Sequence, residues 1–291
     1  TTLPILYEAP LMLEKAHLSD IVCRELQIEA PAPDMTQWRE MVDRIRHPQG
    51  TVRIAMVGKY MQLHDAYLSV TEALRHAAYA LGRSVHIDYV DSETINEGNV
   101  AEMLGEADGI LVPGGFGERG IEGMIAAARY ARENAKPYLG ICLGMQVAVI
   151  EFARHVVGWA DANSHEFNPN GTHSVVDFMP DQNDEIDKGG TLRLGAYPCM
   201  VQPGTTLARC YGAEQISERH RHRYEFNNLY RDEIRNAGLT LCGVSPDGRL
   251  VEAVELSEQP FFVGVQYHPE FKSRPTHPHP LFLGLISASM K

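Results

Sequence analysis

The stretch that most constrains this chain is residues 138–146, Tyr-Leu-Gly-Ile-Cys-Leu-Gly-Met-Gln. A short apolar run, introduced by Lys136 and Pro137, ends at Cys142, with Gly140 two residues before it and Gly144 two after. Beyond it, apolar residues recur at helical spacing at Val147, Ile150, Ala153 and Val157,. This is the thiol counterpart of the G-x-S-x-G nucleophile elbow, a sharp turn from strand to helix. The flanking glycines let the backbone turn without a Cβ clash, so the central side chain is presented on a strained corner. A sulfur at such a corner meets unpaired N–H groups and the positive end of a helix dipole, which favour thiolate over thiol. The competing reading is a structural cysteine buried in a strand.

The second informative stretch carries a histidine 126 residues downstream of that sulfur. Residues 261–267 read as a buried strand that runs into His268, Pro269 and Glu270. A cysteine nucleophile needs a base to take its proton, and the base needs a partner to hold its ring and tautomer. His268 at the strand end, with a carboxylate two residues on across a φ-restricting proline, supplies both from one rigid segment. Gly-x-Cys-x-Gly joined to a distant strand-His-Pro-Glu is far more specific than either half. On these residues the chain resembles the class I (triad) glutamine amidotransferases, with Cys142, His268 and Glu270 as the triad.

Composition sets limits on the rest. The chain has 291 residues, 44% hydrophobic and 22% charged, suited to one large or two smaller globular domains,. A net charge of -12 disfavours nonspecific binding to nucleic acid or an anionic membrane, although a local basic patch can hold a nucleotide,. Five cysteines without regular short spacing argue against a disulfide framework and for a reducing compartment,. No signal peptide or long apolar segment is visible, so a soluble cytoplasmic protein is the expectation. The chain does not open on methionine, which fits a processed chain or a piece of a longer one.

Residues 1–50 do not share the pattern that follows. Prolines extend residues 3–10, residues 11–18 can form a short amphipathic helix, and Pro31 and Pro33 mark a linker. Asp34 or Thr36 then caps a helix through Ile45 with Trp38, Met41, Val42 and Ile45 on one stripe. These pieces are too short to form a core alone and read as the tail of another domain plus a connector. From residue 51 strands and helices alternate, which predicts an α/β fold, a doubly wound and mostly parallel sheet. Strands are expected at 52–57, 85–90, 109–112 and up to Cys142, with helices at 66–81, 100–104 and 121–134. The second half reads as added antiparallel strands at 188–195 and 206–211, and a hairpin of 239–245 with 249–256. Ligands of such sheets gather beyond the carboxyl ends of the strands, where Cys142 and the loop after Val112 both fall.

That loop, Gly114-Gly115-Phe116-Gly117, admits three readings: a phosphate cradle, an ordinary βα loop or an oxyanion hole. It lacks the Walker lysine and the G-x-G-x-x-G spacing. An oxyanion hole pairs a glycine N–H of this loop with the N–H of Leu143. The run Arg219-His220-Arg221-His222-Arg223 is basic within an acidic chain. It reads as a solvated strand or loop, or Arg223 clamps a substrate carboxylate by a bidentate pair. Its histidines have no zinc-finger partner set, and a proline separates His277 from His279, so no metal is expected.

The resemblance narrows on further motifs. Val57 to Tyr60, Asp65 to Val70, Gly189 to Gly195, Glu218 to Glu225 and the opening Tyr7 to Leu13 are similar to CTP synthases over essentially the whole chain. It implies residues 1–50 as the tail of a synthetase (amidoligase) domain plus a linker helix, and 51–291 as the glutaminase domain. It implies L-glutamine held by Gly115, Leu143, Gly144, Met145, Gln146, Glu166 and Arg223, with Phe116 walling the pocket and Gly115 and Leu143 binding the oxyanion. A carboxylate at Glu166 suits the substrate ammonium, and Arg223 suits its carboxylate. No cofactor is implied in this domain; ATP and Mg belong to the synthetase domain, and GTP is implied as allosteric activator. The family also implies a homotetramer. No Gly-x-x-x-x-Gly-Lys-Ser/Thr motif occurs, so the chain reads as the carboxyl-terminal part. Residues 179–188 are shorter than the lid loop of some members, which bears on GTP-dependent closure. Another class I glutaminase or a γ-glutamyl hydrolase is the alternative.

Overall fold

The computed structural model describes residues 3–178 and 193–290. After α1 (Ala9–Lys15), α2 (Leu18–Glu25) and α3 (Thr36–Arg46), strand and helix alternate. They run β1 (Thr51–Gly58), α4 (Leu68–Ala80), β2 (Ser84–Asp91), α5 (Val100–Leu104), β3 (Gly109–Val112), α6 (Ile121–Glu133), β4 (Tyr138–Ile141) and α7 (Leu143–Phe152). A β-rich half follows, with β5 (Asn163–Ser164), β6 (Ser174–Phe178), β7 (Arg193–Val201), α8 (Thr206–Tyr211), β8 (Gln215–His222) and β9 (Tyr224–Phe226). It closes with α9 (Arg231–Asn236), β10 (Thr240–Val244), β11 (Val251–Glu255), β12 (Phe262–Val265) and α10 (Pro280–Ala288).

The main sheet has the order β2-β1-β3-β4-β12-β11-β10-β7-β8, and a second, small sheet is β5-β6-β9. Pairing is parallel from β2 through β12 and antiparallel from β12 through β8. The expected α/β sheet with an antiparallel extension is therefore what the chain forms. β3, β4 and β12 are buried along their whole length, as strands covered on both faces must be,. Ile121, Met124, Ile125 and Ala128 of α6 pack on one face with most of α7, while Val70, Leu74 and Ala77 of α4 and Leu281, Phe282 and Leu285 of α10 cover the other. Each large apolar side chain so enclosed contributes about 1.5–3 kcal/mol.

The register of β4 and β12 sets the site. Phe262 lies opposite Tyr138 and Val265 opposite Ile141, and the two aromatic rings stack at 4.5 Å. Two parallel strands in this register end together. Cys142, next after β4, and His268, three residues past β12, therefore emerge at the same edge of the sheet.

Two expectations change. Residues 206–211 form helix α8 rather than a strand. Thr205 Oγ1 accepts the N–H of Ala208 at 3.1 Å, Gly212 closes the helix at φ 62°, and the Glu255 carboxylate of β11 accepts the N–H groups of Thr206 and Leu207 at 2.9 and 3.0 Å,. The expected helix at 11–18 is instead a pair, α1 and α2, neither of which buries a residue. The strand expected at 188–195 begins, within the described residues, at Arg193. Residues 179–188, expected as a shortened lid loop, lie outside the described residues. Helix α3 forms as expected, with Asp34 Oδ1 accepting the Thr36 N–H at 2.9 Å. Its Met41 and Val42 are buried, and Trp38 Nε1 donates to the Tyr7 carbonyl at 2.6 Å. Among the described residues no helix is long and apolar enough to cross a membrane.

Candidate active site

Cys142 has φ 53° and ψ -102°, a left-handed backbone that a side chain adopts only under strain,. The turn is enforced by contacts on both sides. The Cys142 N–H donates to the Val265 carbonyl of β12 at 2.7 Å, and Tyr138 Oη donates to the Gly144 carbonyl at 2.8 Å. A methyl on Gly140 would lie 2.5 Å from the Gly144 carbonyl, so only glycine permits this crossing of strand and helix. The elbow read from the sequence is thus present. As first residue of α7, Leu143 carries one of the N–H groups that a helix leaves without an intrahelical acceptor,.

His268 extends from the end of β12, anchored by its N–H donating to the Arg219 carbonyl of β8 at 2.8 Å. Its Nδ1 lies 2.8 Å from Glu270 Oε1, which fixes Nδ1 as the protonated, donating nitrogen,. Nε2 is buried without a hydrogen-bond partner and is the nitrogen left for the sulfur. Burial opposes a charge on this ring, but the sulfur of Cys142 and the Glu270 carboxylate outweigh it and raise the imidazole to about 10. Cys142 and His268 meet over the glycine loop: a methyl on Gly114 would lie 3.0 Å from His268 Cε1 and 3.5 Å from Cys142 Cβ.

Cys142, His268, Glu270, Gly115 and Phe116 line one cleft of about 270 Å³, together with Tyr60, Arg221 and Phe271. Arg221 stands 5.9 Å above the half-exposed Phe116 ring. The other sequence-derived residues are distributed differently. Gly144 and Met145 are buried, and Gln146 donates its amide to the Tyr224 carbonyl at 3.0 Å and to Gln266 Oε1 at 3.2 Å. Glu166 is half-buried at the far end of the glycine loop, where Oε1 accepts the Gly117 N–H at 2.9 Å. Burial pushes its carboxyl up, partly offset by the Gly117 N–H, Lys59 and Arg223. Glu166 and Arg223 therefore share one electrostatic neighbourhood beside the cleft.

Two residues in this arrangement carried no role in the sequence reading. Gln266, wholly buried, donates Nε2 to Cys142 Sγ at 3.6 Å. Its orientation is fixed because its oxygen accepts from Gln146, whose own amide is fixed by the Tyr224 carbonyl. A polar residue ending an apolar strand was the available signal. Lys59, 2% exposed, donates Nζ to the Phe116 carbonyl at 3.1 Å and to the Gly117 carbonyl. It follows β1 at the carboxyl edge, a position any parallel sheet makes suspect.

The basic run of β8 alternates, with Arg219 and Arg221 outward and Glu218, His220 and His222 inward. His222 Nδ1 lies 3.0 Å from the Tyr224 carbonyl and must donate to it, so His222 Nε2 accepts from His220 Nδ1 at 3.0 Å,. His220, His222 and Glu252 converge as metal ligands would. The Arg193 guanidinium, however, lies 2.6 Å from Glu252 Oε1, an ion pair by distance without an aimed N–H, and already supplies positive charge there.

Burial drives His220 down to about 2 and His222 to about 3, and pushes Glu225 up to about 8 and Glu252 to about 7. The histidines, lowered from 6.5, lose their stabilising contribution as pH falls below 6.5. The glutamates, raised from 4.5, contribute fully below 4.5 and lose that contribution as pH climbs through about 7 to 8. The cluster therefore supports the fold best between 4.5 and 6.5, where the two effects cancel, with slopes outside it of up to about 1.4 kcal/mol per pH unit per group,. In urea unfolding, Glu225→Gln is expected to gain on the native chain as pH rises from about 6 to about 8.5. A difference that stays constant over that range would count against the buried neutral carboxyl.

A family model, glutamine amidotransferase class-I, matches residues 62–288. The chain is 57% identical over 277 residues to CTP synthase of Shouchella clausii and 55% identical over 286 residues to CTP synthase of Geobacillus kaustophilus. These alignments cover 95% and 98% of this chain but 52% and 54% of those proteins, so the chain spans about half their length. Among solved structures, the Trypanosoma brucei CTPS glutaminase domain with bound acivicin is 45% identical, with a TM-score of 0.78, covering 82% of this chain and 93% of that one. With the family model over most of its length and a glutaminase domain matched almost end to end, the chain belongs to the class I glutamine amidotransferases, in the branch of the CTP synthase glutaminase domains.

Proposed function

We propose that this chain hydrolyses L-glutamine through a cysteine thioester, as the glutaminase half of a CTP synthase. The observation that carries the chemistry is the Cys142 elbow sharing a cleft with His268, whose Nδ1 is held by Glu270 at 2.8 Å. The Cys142 thiolate attacks the γ-carboxamide carbon, and the electron pair of the C=O bond moves to oxygen, where the N–H groups of Gly115 and Leu143 receive it. Imidazolium His268 protonates the leaving nitrogen from Nε2, ammonia departs, and a thioester remains. Water, deprotonated by the now neutral His268, attacks the thioester, and glutamate leaves as the thiolate is restored. Glu270 orients the ring and stabilises its charge. Glu166 takes the substrate ammonium, Arg223 its carboxylate, Phe116 walls the pocket, and residues 144–146 support it from the helix start.

In the whole protein, residues 1–50 are the tail of the synthetase domain and its linker, and 51–291 the glutaminase domain. Ammonia then aminates UTP to CTP, with ATP and Mg belonging to the synthetase domain and GTP acting as activator. A cytoplasmic homotetramer without nucleic-acid or membrane partners completes the reading. Nothing in the site favours the γ-glutamyl hydrolase alternative. The test measures glutamate and ammonia from glutamine, with γ-glutamyl peptides as competing substrates and with GTP present or absent. Equimolar glutamate and ammonia, preference for glutamine, and stimulation by GTP when the synthetase domain is attached are expected. A joined protein that releases no glutamate under either condition would sink the proposal.

A further inference from the structure

We propose that Lys59 is a positioning residue that clamps the glycine loop from behind, holding the Gly115 peptide where it can receive the oxyanion. The inference rests on the thioester reading above and adds to it a residue that neither touches substrate nor belongs to the triad.

The placement is a consequence of topology. The order β2-β1-β3 reverses direction between β1 and β3, and the crevice at such a switch point opens at the carboxyl ends of those strands,. Lys59 follows β1 and the glycine loop follows β3, so the two meet there. Nζ donates to the carbonyls of Phe116 and Gly117, and lies 5.7 Å over the Phe167 ring. The stem lies against the loop as well. A methyl on Gly115 would sit 3.5 Å from Lys59 Cδ on one side and 3.2 Å from Leu143 Cδ2 on the other. The Gly115 peptide is thus enclosed between the lysine stem and the residue that carries the second proposed oxyanion donor.

A buried ammonium is costly unless its donors are satisfied, and an apolar residue would fill the same space without that cost. Burial lowers this ammonium to about 8, with Glu166 pulling the other way. What the charge secures is direction. Three of the four loop residues are glycine, with a wide range of accessible backbone angles. With the carbonyls of 116 and 117 drawn onto Nζ and the Gly117 N–H onto Glu166, the peptides beyond Gly115 are oriented before substrate arrives. Preorganised donors cost no reorientation when charge develops on the substrate oxygen.

The test separates oxyanion chemistry from thiol chemistry on the intact chain. Lys59→Met keeps the stem and removes the donors, while Lys59→Gln keeps a single short donor. Iodoacetamide alkylates Cys142 by displacement at carbon and creates no oxyanion; its rate, read by peptide mass mapping, should stay within about threefold of native. Glutamine turnover should fall on the order of 10²-fold in kcat with KM little changed. Binding of glutamate γ-semialdehyde, whose carbonyl becomes a tetrahedral oxyanion on thiolate addition, should weaken in parallel. Native kcat and native aldehyde binding in a folded Lys59→Met variant would overturn the clamp. So would an equal loss of alkylation and turnover, or loss of the fold in both variants, since either makes Lys59 merely structural. The thioester reading is checked separately by Cys142→Ala: if that variant keeps its turnover the underlying reading fails, whereas if it loses turnover while Lys59→Met does not, only the clamp fails.

Discussion

Cys142→Ala should lower glutamate release from glutamine by about 10⁴-fold or more while leaving the unfolding midpoint nearly unchanged. The side chain is 5% exposed and packs in the apolar core, and alanine keeps its Cβ while giving up the sulfur and its contact with Gln266 Nε2. The strained φ of 53° is the same for alanine as for cysteine, so the fold loses only a small sulfur contact. The proposed chemistry loses the atom assigned to the thioester. Cys142→Ser should also lose most activity, because an alcohol is a far weaker nucleophile near neutral pH and the site was built for sulfur. Trapping makes the test specific. Hydroxylamine attacks the thioester carbon and expels the thiolate, so the native chain yields γ-glutamyl hydroxamate and the alanine variant none. Full glutaminase activity in Cys142→Ala would refute the covalent role.

Gly144→Ala should be among the most damaging small changes to the fold. Its added methyl would sit 2.1 Å from the Val112 carbonyl oxygen and 3.0 Å from the Val112 carbonyl carbon, both backbone atoms that no rotamer change can move aside. The whole of α7 must then back away from β3, at a cost of about 3 kcal/mol or more, at the upper end of overpacking effects. Activity should vanish with it, since Cys142 and Leu143 begin the same helix. Gly82→Ala is the matched control. Gly82 sits at φ 65° with open space around its Cα, so alanine there costs only the left-handed strain, about 1 kcal/mol,. Urea midpoints of the two variants compare these expectations directly. If both fall by the same amount, close approach at the elbow is not what demands glycine at 144.

Cys142 and His268-Pro269-Glu270 were legible because each depends on backbone geometry that only a few residue types can provide. Glycines on either side of a cysteine encode an elbow locally, and proline between histidine and glutamate encodes a rigid pair locally. The alternation of β1 to β4 with helices was legible for the same kind of reason, a hydrophobic period that neighbouring residues carry together. Residues 206–211 were misread although Thr205 and Gly212 cap α8 from adjacent positions; only the Glu255 carboxylate that takes its first two N–H groups, 49 residues downstream of Thr206, lay beyond local reach. Within β8, period-two alternation was present in Arg-His-Arg-His-Arg, but its charge concealed that the histidines face inward, toward Glu252 and Arg193.

The sequence alone determined the alternating sheet, the sharp corner at Cys142 and the histidine with its carboxylate, since each is written in residues adjacent along the chain. Tertiary structure alone decided which groups serve them: Gln266 against the sulfur, Lys59 behind the glycine loop, and, elsewhere in the interior, carboxyls raised and imidazoles lowered by burial. Those relations join side chains brought close by strand register and desolvated by burial. Distance in space and loss of water are properties that no local pattern of residue types carries.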